Sequence, residues 1–415
     1  MDKVSKPLFL VTGIILIGVS FFIVSPQSVQ IEVFNQPNFS SAPESLSFLL
    51  SDKIKAGLNL LANSPSLEYE TATYKTKTGK TIKSDEIIRK QIALAVLDMN
   101  TGEIFEKRVW AEGNEIENRN VDLQADNPAE KLIIKAKYWN SFNTFYEIEN
   151  FSNYVVIGNK YLLANKYLSD LPEKNKKEPF TEILYVPYST GLHHAELIKT
   201  GHDYLRAKIN AAVSDLTEKK VASLSDQNQL AAAVVSKEFI ANIALIEHID
   251  PDLFAIASDG GRELMERVLI ILGSNKERAY RYTGSPAGAN GLAQFIKPTY
   301  EMVTDKYPSA GLLKSYSLGM ADHANAIKAM VLFFDLHKKE LADKISRKNF
   351  SRELGVTEEM LAAAYNGGPS RVISSVNKFG SAWMSQQLKL PEKERSFRQE
   401  TIEYLKKFWF VRTMN

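Results

Sequence analysis

Three short segments in the second half of this chain carry side chains suited to acid–base chemistry and sugar binding. The first is an apolar run, residues 239–246, that ends at Glu247. A carboxyl group set against apolar side chains is poorly solvated when ionised, so its pKa rises and it can hold a proton at neutral pH. Cleavage of a glycosidic bond needs such an acid to protonate the leaving oxygen. Taken alone, the run also fits a buried helix followed by an ordinary polar residue.

The second segment is SPAGANGLAQFI, residues 285–296, which is rich in small side chains. Glycines such as Gly288 and Gly291 let the backbone approach a ligand closely because they have no Cβ. Gln294 offers both a donor and an acceptor to a sugar hydroxyl or amide. The same string also fits a glycine-rich turn before a helix.

The third segment is AAYNGG, residues 363–368. The two glycines predict the end of a helix, which leaves Tyr365 and Asn366 at its terminus. A tyrosine there can direct its hydroxyl into a cleft, and Asn366 can bond an amide such as an N-acetyl group. A capped helix end with a half-buried tyrosine is the plainer interpretation. Together, the three segments predict a cleft that cuts glycosidic bonds.

In this order, the three segments resemble the soluble lytic transglycosylases, which are goose-lysozyme-like enzymes that cleave peptidoglycan. Glu400-Thr401-x-x-Tyr404 also resembles the C-terminal helix of that family. The resemblance covers about residues 236–410 and implies a lysozyme-like, mainly helical fold. Position by position it implies Glu247 as the catalytic acid/base, Tyr365 in contact with that acid, and a substrate-binding set of Ser285, Gly291, Gln294, Tyr365 and Asn366.

The activity implied by the resemblance is cleavage of the β-1,4 bond between N-acetylmuramic acid and N-acetylglucosamine, with 1,6-anhydro product ends. The partner is then the glycan strand of peptidoglycan. The reaction requires no cofactor, no metal and no second carboxylate. One alternative is a muramidase-type hydrolase in which Asp250, Asp252 or Asp259 positions a water. A second is an inactive protein that binds or assembles the cell wall.

Two features depart from the family pattern. Ala293 stands where the family usually has Met, and Glu247 and Ser285 are 38 residues apart, much farther than in the family. The long gap predicts an inserted helix at Arg262–Leu272. It also leaves Glu277 as a rival acid, although Lys276 and Arg278 place Glu277 in a charged run that predicts a solvated side chain.

Composition narrows the classes of function. The chain has 415 residues, a net charge of +2 and no cysteine. The small net charge gives no sign of nucleic-acid binding, and the lack of cysteine excludes a disulfide framework, a thiol nucleophile and a Cys-ligated metal. His193, His194 and His202 allow a metal site, but hydrogen-bonded or exposed histidines are the plainer interpretation.

The N-terminus predicts a membrane location. Residues 8–24 are apolar apart from Thr, Gly and Ser, which is close to the roughly 20 residues that span a bilayer. Lys3 and Lys6 precede the run and predict a cytoplasmic N-terminus. A single-pass anchor with the catalytic domain on the extracytoplasmic side is therefore expected. A cleavable signal peptide is the alternative, but Ser25-Pro26-Gln27 lacks the small-residue cleavage pattern.

The intervening segments predict an α+β fold: a transmembrane helix, a small β-containing domain and a mainly helical lysozyme-like domain. Ile92–Leu97 and Ile104–Trp110 form a hairpin pattern around the turn at 100–102, and further strands are expected at 132–138 and 154–163. The expected domains are 1–26 (anchor), 27–84 (stalk and a helix at 51–62), 85–180 (β-containing, with a charged linker at 172–179), 181–235 (helical connector) and 236–415 (lytic transglycosylase).

From Gly191 onward the pattern is helical, with Pro and Gly marking the breaks. Helices are expected at about 191–215, 224–248, 261–273, 318–343, 357–366 and 397–411. Residues 85–180 carry no catalytic constellation, and a contact with a cell-envelope complex is their expected role.

Overall fold

A computed structural model describes residues 46–75, 78–79, 81–112, 118–122, 124–125, 132–139, 145–165, 179–282, 285, 287–345 and 355–414. The strands are β1 Tyr69–Lys75, β2 Thr81–Asp98, β3 Ile104–Glu112, β4 Asn118–Asp122, β5 Gln124–Ala125, β6 Ile134–Trp139, β7 Phe145–Ile148, β8 Tyr154–Ala164 and β9 Phe180–Tyr185. The α-helices are α1 Leu50–Ala62, α2 Ala195–Glu218, α3 Lys237–Ile246, α4 Pro251–Ile256, α5 Arg262–Asn275, α6 Lys297–Lys306, α7 Tyr316–Ala321, α8 His323–Lys344, α9 Glu358–Gly367, α10 Pro369–Phe379, α11 Trp383–Lys389 and α12 Gln399–Met414.

The larger sheet is antiparallel and has the order β5-β3-β2-β8-β9, with β1 also paired to β2. Its centre is the predicted hairpin, in which Leu97 lies opposite Ile104 and Gln91 opposite Trp110. The turn closes where the Gly102 amide donates to the Asp98 carbonyl over 2.8 Å. Gly102 has a φ of +74°, a conformation that glycine adopts without steric cost. A second sheet has the order β4-β6-β7.

Helix α1 packs on the larger sheet through a glycine. A Cβ on Gly57 would lie 2.8 Å from the terminal side-chain carbon of Ile157 on β8, so a larger residue there would require the Ile157 side chain to shift. The first amides of a helix have no intrahelical partner. In α1 they donate to Glu196 of α2, from Leu50 over 2.9 Å and from Ser51 over 3.0 Å. The sheet, α1 and α2 are thereby joined.

Helices α2 and α5 cross at a pair of glycines. A Cβ on Gly201 would lie 1.9 Å from the Leu269 carbonyl oxygen, and one on Gly273 would lie 2.7 Å from the Leu197 carbonyl oxygen. Helix α5 occupies the position expected for the inserted helix, and it extends to Asn275. The insertion therefore packs against the rest of the helical region as part of its core.

The predicted fold class is wrong. It assigned the strands and the helices to successive separate domains after a transmembrane helix, whereas the structure is a mixed α/β one. The physical reason is a shared core, since strand residues such as Ile92 and Ile157 belong to the same buried cluster as Leu197 and Ile270 of the helices. Residues 45–415 form one compact unit. The predicted domain boundaries at 180 and 235 fall inside this unit and stay predictions.

The transmembrane part of that prediction has no support in the described residues. Among them, none of the helices combines the length and the apolar character needed to cross a bilayer. The predicted transmembrane span, residues 8–24, lies outside the described residues. So do residues 27–45 of the predicted stalk region and most of the charged linker.

The starts of two helices differ from the prediction, and hydrogen bonds accepted by aspartate side chains account for both. Helix α3 begins at Lys237 instead of near 224, because the preceding loop is held by the buried carboxylate of Asp335. That group accepts bonds from the Ser223 hydroxyl over 2.7 Å and the Leu224 amide over 2.6 Å. Helix α8 begins at His323, where the Asp322 side chain caps it by accepting from the Asn325 amide over 2.9 Å.

Candidate active site

Helix α3 brings Glu247 to the edge of the core. Ser236 caps its N-terminus by accepting the Phe239 amide over 3.0 Å, and most of its side chains are buried. Glu247 is the first residue after the helix and is partly exposed. The apolar run thus ends by placing a carboxyl group where core meets surface.

The surroundings of Glu247 raise the fraction of this carboxyl group that is protonated at neutral pH. Burial raises its pKa from an ordinary 4.5 to about 7, while the bond from Tyr404 and the charge of Lys407 lower it and the charge of Glu400 raises it. The Tyr404 hydroxyl donates to Glu247 Oε1 over 2.6 Å. A carboxyl with a pKa near the working pH is suited to give and take a proton in one reaction cycle.

The small-residue loop, residues 285–296, folds into a tight structure of its own. Asn290 and Phe295 form an antiparallel bridge, and the Gln294 side-chain amide donates to the Gly291 carbonyl over 2.7 Å. Gly291 has a φ of +70°, and a Cβ there would lie 2.4 Å from the Met320 carbonyl oxygen. Gly288, with a φ of +81°, is exposed and would direct a Cβ into open space, while its carbonyl accepts from the Tyr316 hydroxyl over 2.9 Å.

Two side chains tie this loop to the region of the acid. The residue after Glu247, His248, donates from Nε2 to the Leu292 carbonyl over 3.0 Å. Burial lowers the pKa of His248 to about 3, so its ring is neutral, and it stacks on Tyr280 with 3.6 Å between ring centroids. From the other side, the Tyr365 hydroxyl donates to the Ala293 carbonyl over 2.5 Å.

Helix α9 delivers Tyr365 and Asn366 at its C-terminal end. The Tyr365 ring packs edge-on against Phe295 of the loop, with 5.8 Å between centroids. Burial, with the nearby charge of Glu247, raises the pKa of Tyr365 well above its ordinary value, so the phenol stays protonated. Asn366 Oδ1 accepts from the Thr401 hydroxyl over 2.8 Å.

The three predicted segments therefore meet in space, despite the long gap between Glu247 and the loop. Glu247 and Tyr365 are close enough to influence each other electrostatically. Ser285 and Gln294 bond within their own loop: the Ser285 hydroxyl accepts from the Ala289 amide over 3.1 Å. The loop backbone, more than these two side chains, makes the connection to the acid.

The rival acid Glu277 has a different setting. It forms an ion pair with Lys208, and 55% of its side chain is exposed. This exposed, ion-paired setting contrasts with that of Glu247, which lies at the end of a buried apolar helix.

Tyr404 and Lys407 on α12 are the site residues that the sequence analysis did not assign. Tyr404 was noted only as part of a motif, and Lys407 was not noted. Their spacing of three residues, which places both on one face of a helix, is the sequence feature from which they could have been identified.

Beside Asn366, a cavity of about 150 Å³ is lined by Asn366, Gly367, Arg371, Arg398, Glu400 and Thr401.

Two of the three candidate histidines, His193 and His194, have hydrogen-bond partners. His193 bonds the Tyr188 hydroxyl over 2.9 Å and the Glu266 carboxylate over 2.7 Å, while His194 caps α2. Within the part of the chain that the structure describes, no group of three or more His, Asp or Glu side chains is arranged to hold a metal ion.

Comparison of the chain with models of protein families finds no match, and comparison with curated proteins finds none either. Any assignment of function therefore depends on the geometry of the site and on the motif resemblance.

Proposed function

We propose that this protein is a lytic transglycosylase that cleaves the β-1,4 bond between N-acetylmuramic acid and N-acetylglucosamine in peptidoglycan. The observation that carries the proposal is the state of Glu247. It is a partly exposed carboxyl with a pKa raised by burial to about 7, and it adjoins a glycine-rich loop bonded to its neighbour His248. A single acid of this kind is what the reaction requires.

In the proposed reaction, the protonated Glu247 gives its proton to the glycosidic oxygen as the bond to the muramyl C1 breaks. The substrate's own N-acetyl oxygen stabilises the cationic carbon. The Glu247 carboxylate then takes the proton of the muramyl 6-hydroxyl, whose oxygen bonds to C1 and closes the 1,6-anhydro ring. The proton count balances, and Glu247 ends in its starting form.

The hydrolase alternative needs a carboxylate that positions a water, and two of the three nearby aspartates, Asp250 and Asp259, already accept backbone hydrogen bonds at helix starts. Asp250 accepts the amides of Asp252 and Leu253 over 2.9 and 3.0 Å as the cap of α4. Asp259 accepts the Gly261 and Glu263 amides over 2.8 and 2.7 Å. Their capping roles favour the single-carboxylate route.

The alternative of an inactive protein that binds or assembles the cell wall rests on Ala293 and on the long insertion. Ala293 is fully buried, and its carbonyl accepts the Tyr365 bond, so its small side chain belongs to the packing under the loop. Helix α5 packs into the core as an additional layer. Neither of these two features separates Glu247 from the small-residue loop, because His248 still bonds to the Leu292 carbonyl.

The test is digestion of purified peptidoglycan by the full chain, with product ends identified by mass spectrometry. We expect 1,6-anhydro ends from the wild type, and a loss of activity of roughly 10²- to 10⁴-fold in Glu247→Gln, which is the contribution of general acid–base catalysis. Glu277→Gln is the matched control and should retain activity. Free reducing ends would support the hydrolase, and an inactive wild type would support the binder.

A further inference from the structure

A buried lysine holds the end of the helix that carries the candidate acid. Lys407 is 6% exposed, and its Nζ donates to the Ile246 carbonyl over 3.0 Å and to the Ile249 carbonyl over 2.9 Å. The last carbonyls of a helix have no intrahelical partner and carry partial negative charge. Lys407 satisfies one of them and also the carbonyl of the following loop.

These two carbonyls lie on either side of Glu247 in the chain. Tyr404, one turn earlier on α12, donates to the Glu247 carboxyl itself. One face of α12 therefore forms hydrogen bonds both with the backbone on either side of Glu247 and with the Glu247 carboxyl group. These contacts are long-range in sequence, because α12 follows α3 by more than 150 residues.

Lys407 supplies positive charge among the groups that act on Glu247. Those groups are Tyr404, Lys407 and Glu400 from α12, Tyr365 from α9 and the adjacent His248. Burial raises the pKa of Tyr365 and Tyr404 and lowers that of His248, so all three are neutral near pH 7. Burial lowers the pKa of Lys407, and the charges of Glu247, Asp250, Glu400 and Glu403 partly offset this by raising it.

We propose that Lys407 is a positioning residue with two roles: it fixes the backbone on both sides of Glu247, and it is the counter-charge for the carboxylate that forms when Glu247 releases its proton. The catalytic consequence rests on the proposed function. The electrostatic coupling between Lys407 and Glu247 does not depend on the proposed function, so it can be measured even in a protein without activity.

The first experiment titrates Glu247 in the full chain by carboxyl ¹³C NMR, with Glu247→Gln used to assign the resonance. Lys407→Gln keeps hydrogen-bond donors and removes the charge, and should raise the apparent pKa of Glu247 by about one unit or more. Lys407→Arg keeps the charge and should leave it near the wild-type value. Lys406→Gln is the matched control, because Lys406 is exposed and pairs with Glu403. Equal Glu247 titrations in Lys407→Gln and Lys407→Arg would overturn the proposal.

The second experiment measures the pH dependence of peptidoglycan cleavage for the same variants. We expect Lys407→Gln to reduce cleavage roughly ten- to a hundredfold and to move the profile to higher pH in step with the NMR titration. A purely structural role would lower the rate without moving the profile, and that result would overturn the counter-charge role. If the wild type does not cleave peptidoglycan, the proposed function fails while the NMR result still decides the coupling.

A third measurement covers the case in which Lys407→Gln does not fold. Charge coupling is reciprocal, so removing the Glu247 charge must change the titration of Lys407. Nζ ¹⁵N NMR of wild type and Glu247→Gln needs no change at Lys407. We expect the pKa of Lys407 to be lower in Glu247→Gln, and an unchanged value would overturn the proposal.

Discussion

At the scale of single residues, the chemistry depends on how Glu247 is solvated. Its pKa of about 7 comes first from burial, which the Tyr404 hydrogen bond and the Lys407 charge offset in part. Glu277, thirty positions later, pairs with Lys208 in a largely exposed setting. Environment, not residue type, separates the two carboxyl groups.

The raised pKa of Glu247 predicts a pH-dependent effect on stability. Its folded pKa, about 7, lies above its ordinary value of 4.5. The carboxyl therefore contributes stability that is fully present below pH 4.5 and is lost as the pH rises through 7. Because Gln cannot ionise, Glu247→Gln should match wild type near pH 4 and be more stable at pH 8, by at most about 3 kcal/mol.

Urea unfolding at several pH values measures this difference. Glu277→Gln serves as the control and should show no gain at pH 8, because Glu277 is exposed and ion-paired. A Glu247→Gln protein that is equally stable to wild type at both pH values would mean that Glu247 is well solvated.

At the scale of elements, the inserted helix α5 is held by close backbone contact with α2. The approach depends on Gly201 and Gly273, whose missing side chains leave room for the carbonyls of the opposite helix. Since α2 also caps α1 through Glu196, α2 connects the insertion with the sheet-bound helix.

Gly201→Ala is therefore expected to force the two helices apart. The new methyl would meet backbone at Leu269, which cannot rotate away as a side chain can. We expect a loss of roughly 2–3 kcal/mol in the free energy of unfolding, even though alanine has the better helix propensity. The control Arg206→Ala, at an exposed position of the same helix, should change stability by less than about 0.5 kcal/mol. A stabilised Gly201→Ala protein would contradict the crossing.

At the scale of the whole described unit, Asn275 joins the end of the larger sheet to α5. Its side chain accepts from the Val186 amide over 2.8 Å and donates to the Val186 carbonyl over 2.9 Å. Val186 directly follows β9, so this pair of bonds anchors the chain where it passes from strand to helix.

Asn275→Ala should destabilise both regions together, because it leaves two buried backbone groups of Val186 without these bonds. We expect a cost of about 2–4 kcal/mol. Native-state hydrogen exchange should show faster exchange in β8 and α5 by a similar factor. The control Asn210→Ala, at an exposed position, should leave exchange unchanged. Faster exchange in one region alone would mean that sheet and helices unfold separately.

Local patterns predicted the elements whose determinants are close in sequence. The hairpin follows from the apolar run at 92–97 and the turn residues around Gly102, and α3 and α9 follow from apolar runs that end in polar or glycine residues. The start of α3 was placed too early because the carboxylate that holds the preceding loop, Asp335, comes about a hundred residues later. The fold class was wrong for a similar reason, since residue patterns do not reveal that strands and helices bury the same core.

In the candidate site, too, the features set by nearby residues could be predicted and those set by long-range contacts could not. The apolar run before Glu247 and the glycine loop could be recognised locally, and the structure brings them together. The partners that set the chemistry of Glu247 could not be recognised, because Tyr404 and Lys407 contact α3 across more than 150 residues of chain. A lysine in a helix normally indicates a solvated face, and only tertiary contacts reveal that this one is buried.

The dependence of Glu247 on α12 also has a consequence for biosynthesis. A ribosome makes the acid, the glycine loop and Tyr365 well before it reaches residue 407. Until α12 has left the exit tunnel and docked, the nascent chain has neither the phenol nor the ammonium group beside the carboxyl. The environment that sets the proton affinity of Glu247 is therefore completed only after α12 has been made, and a nascent chain that stops short of α12 does not have it.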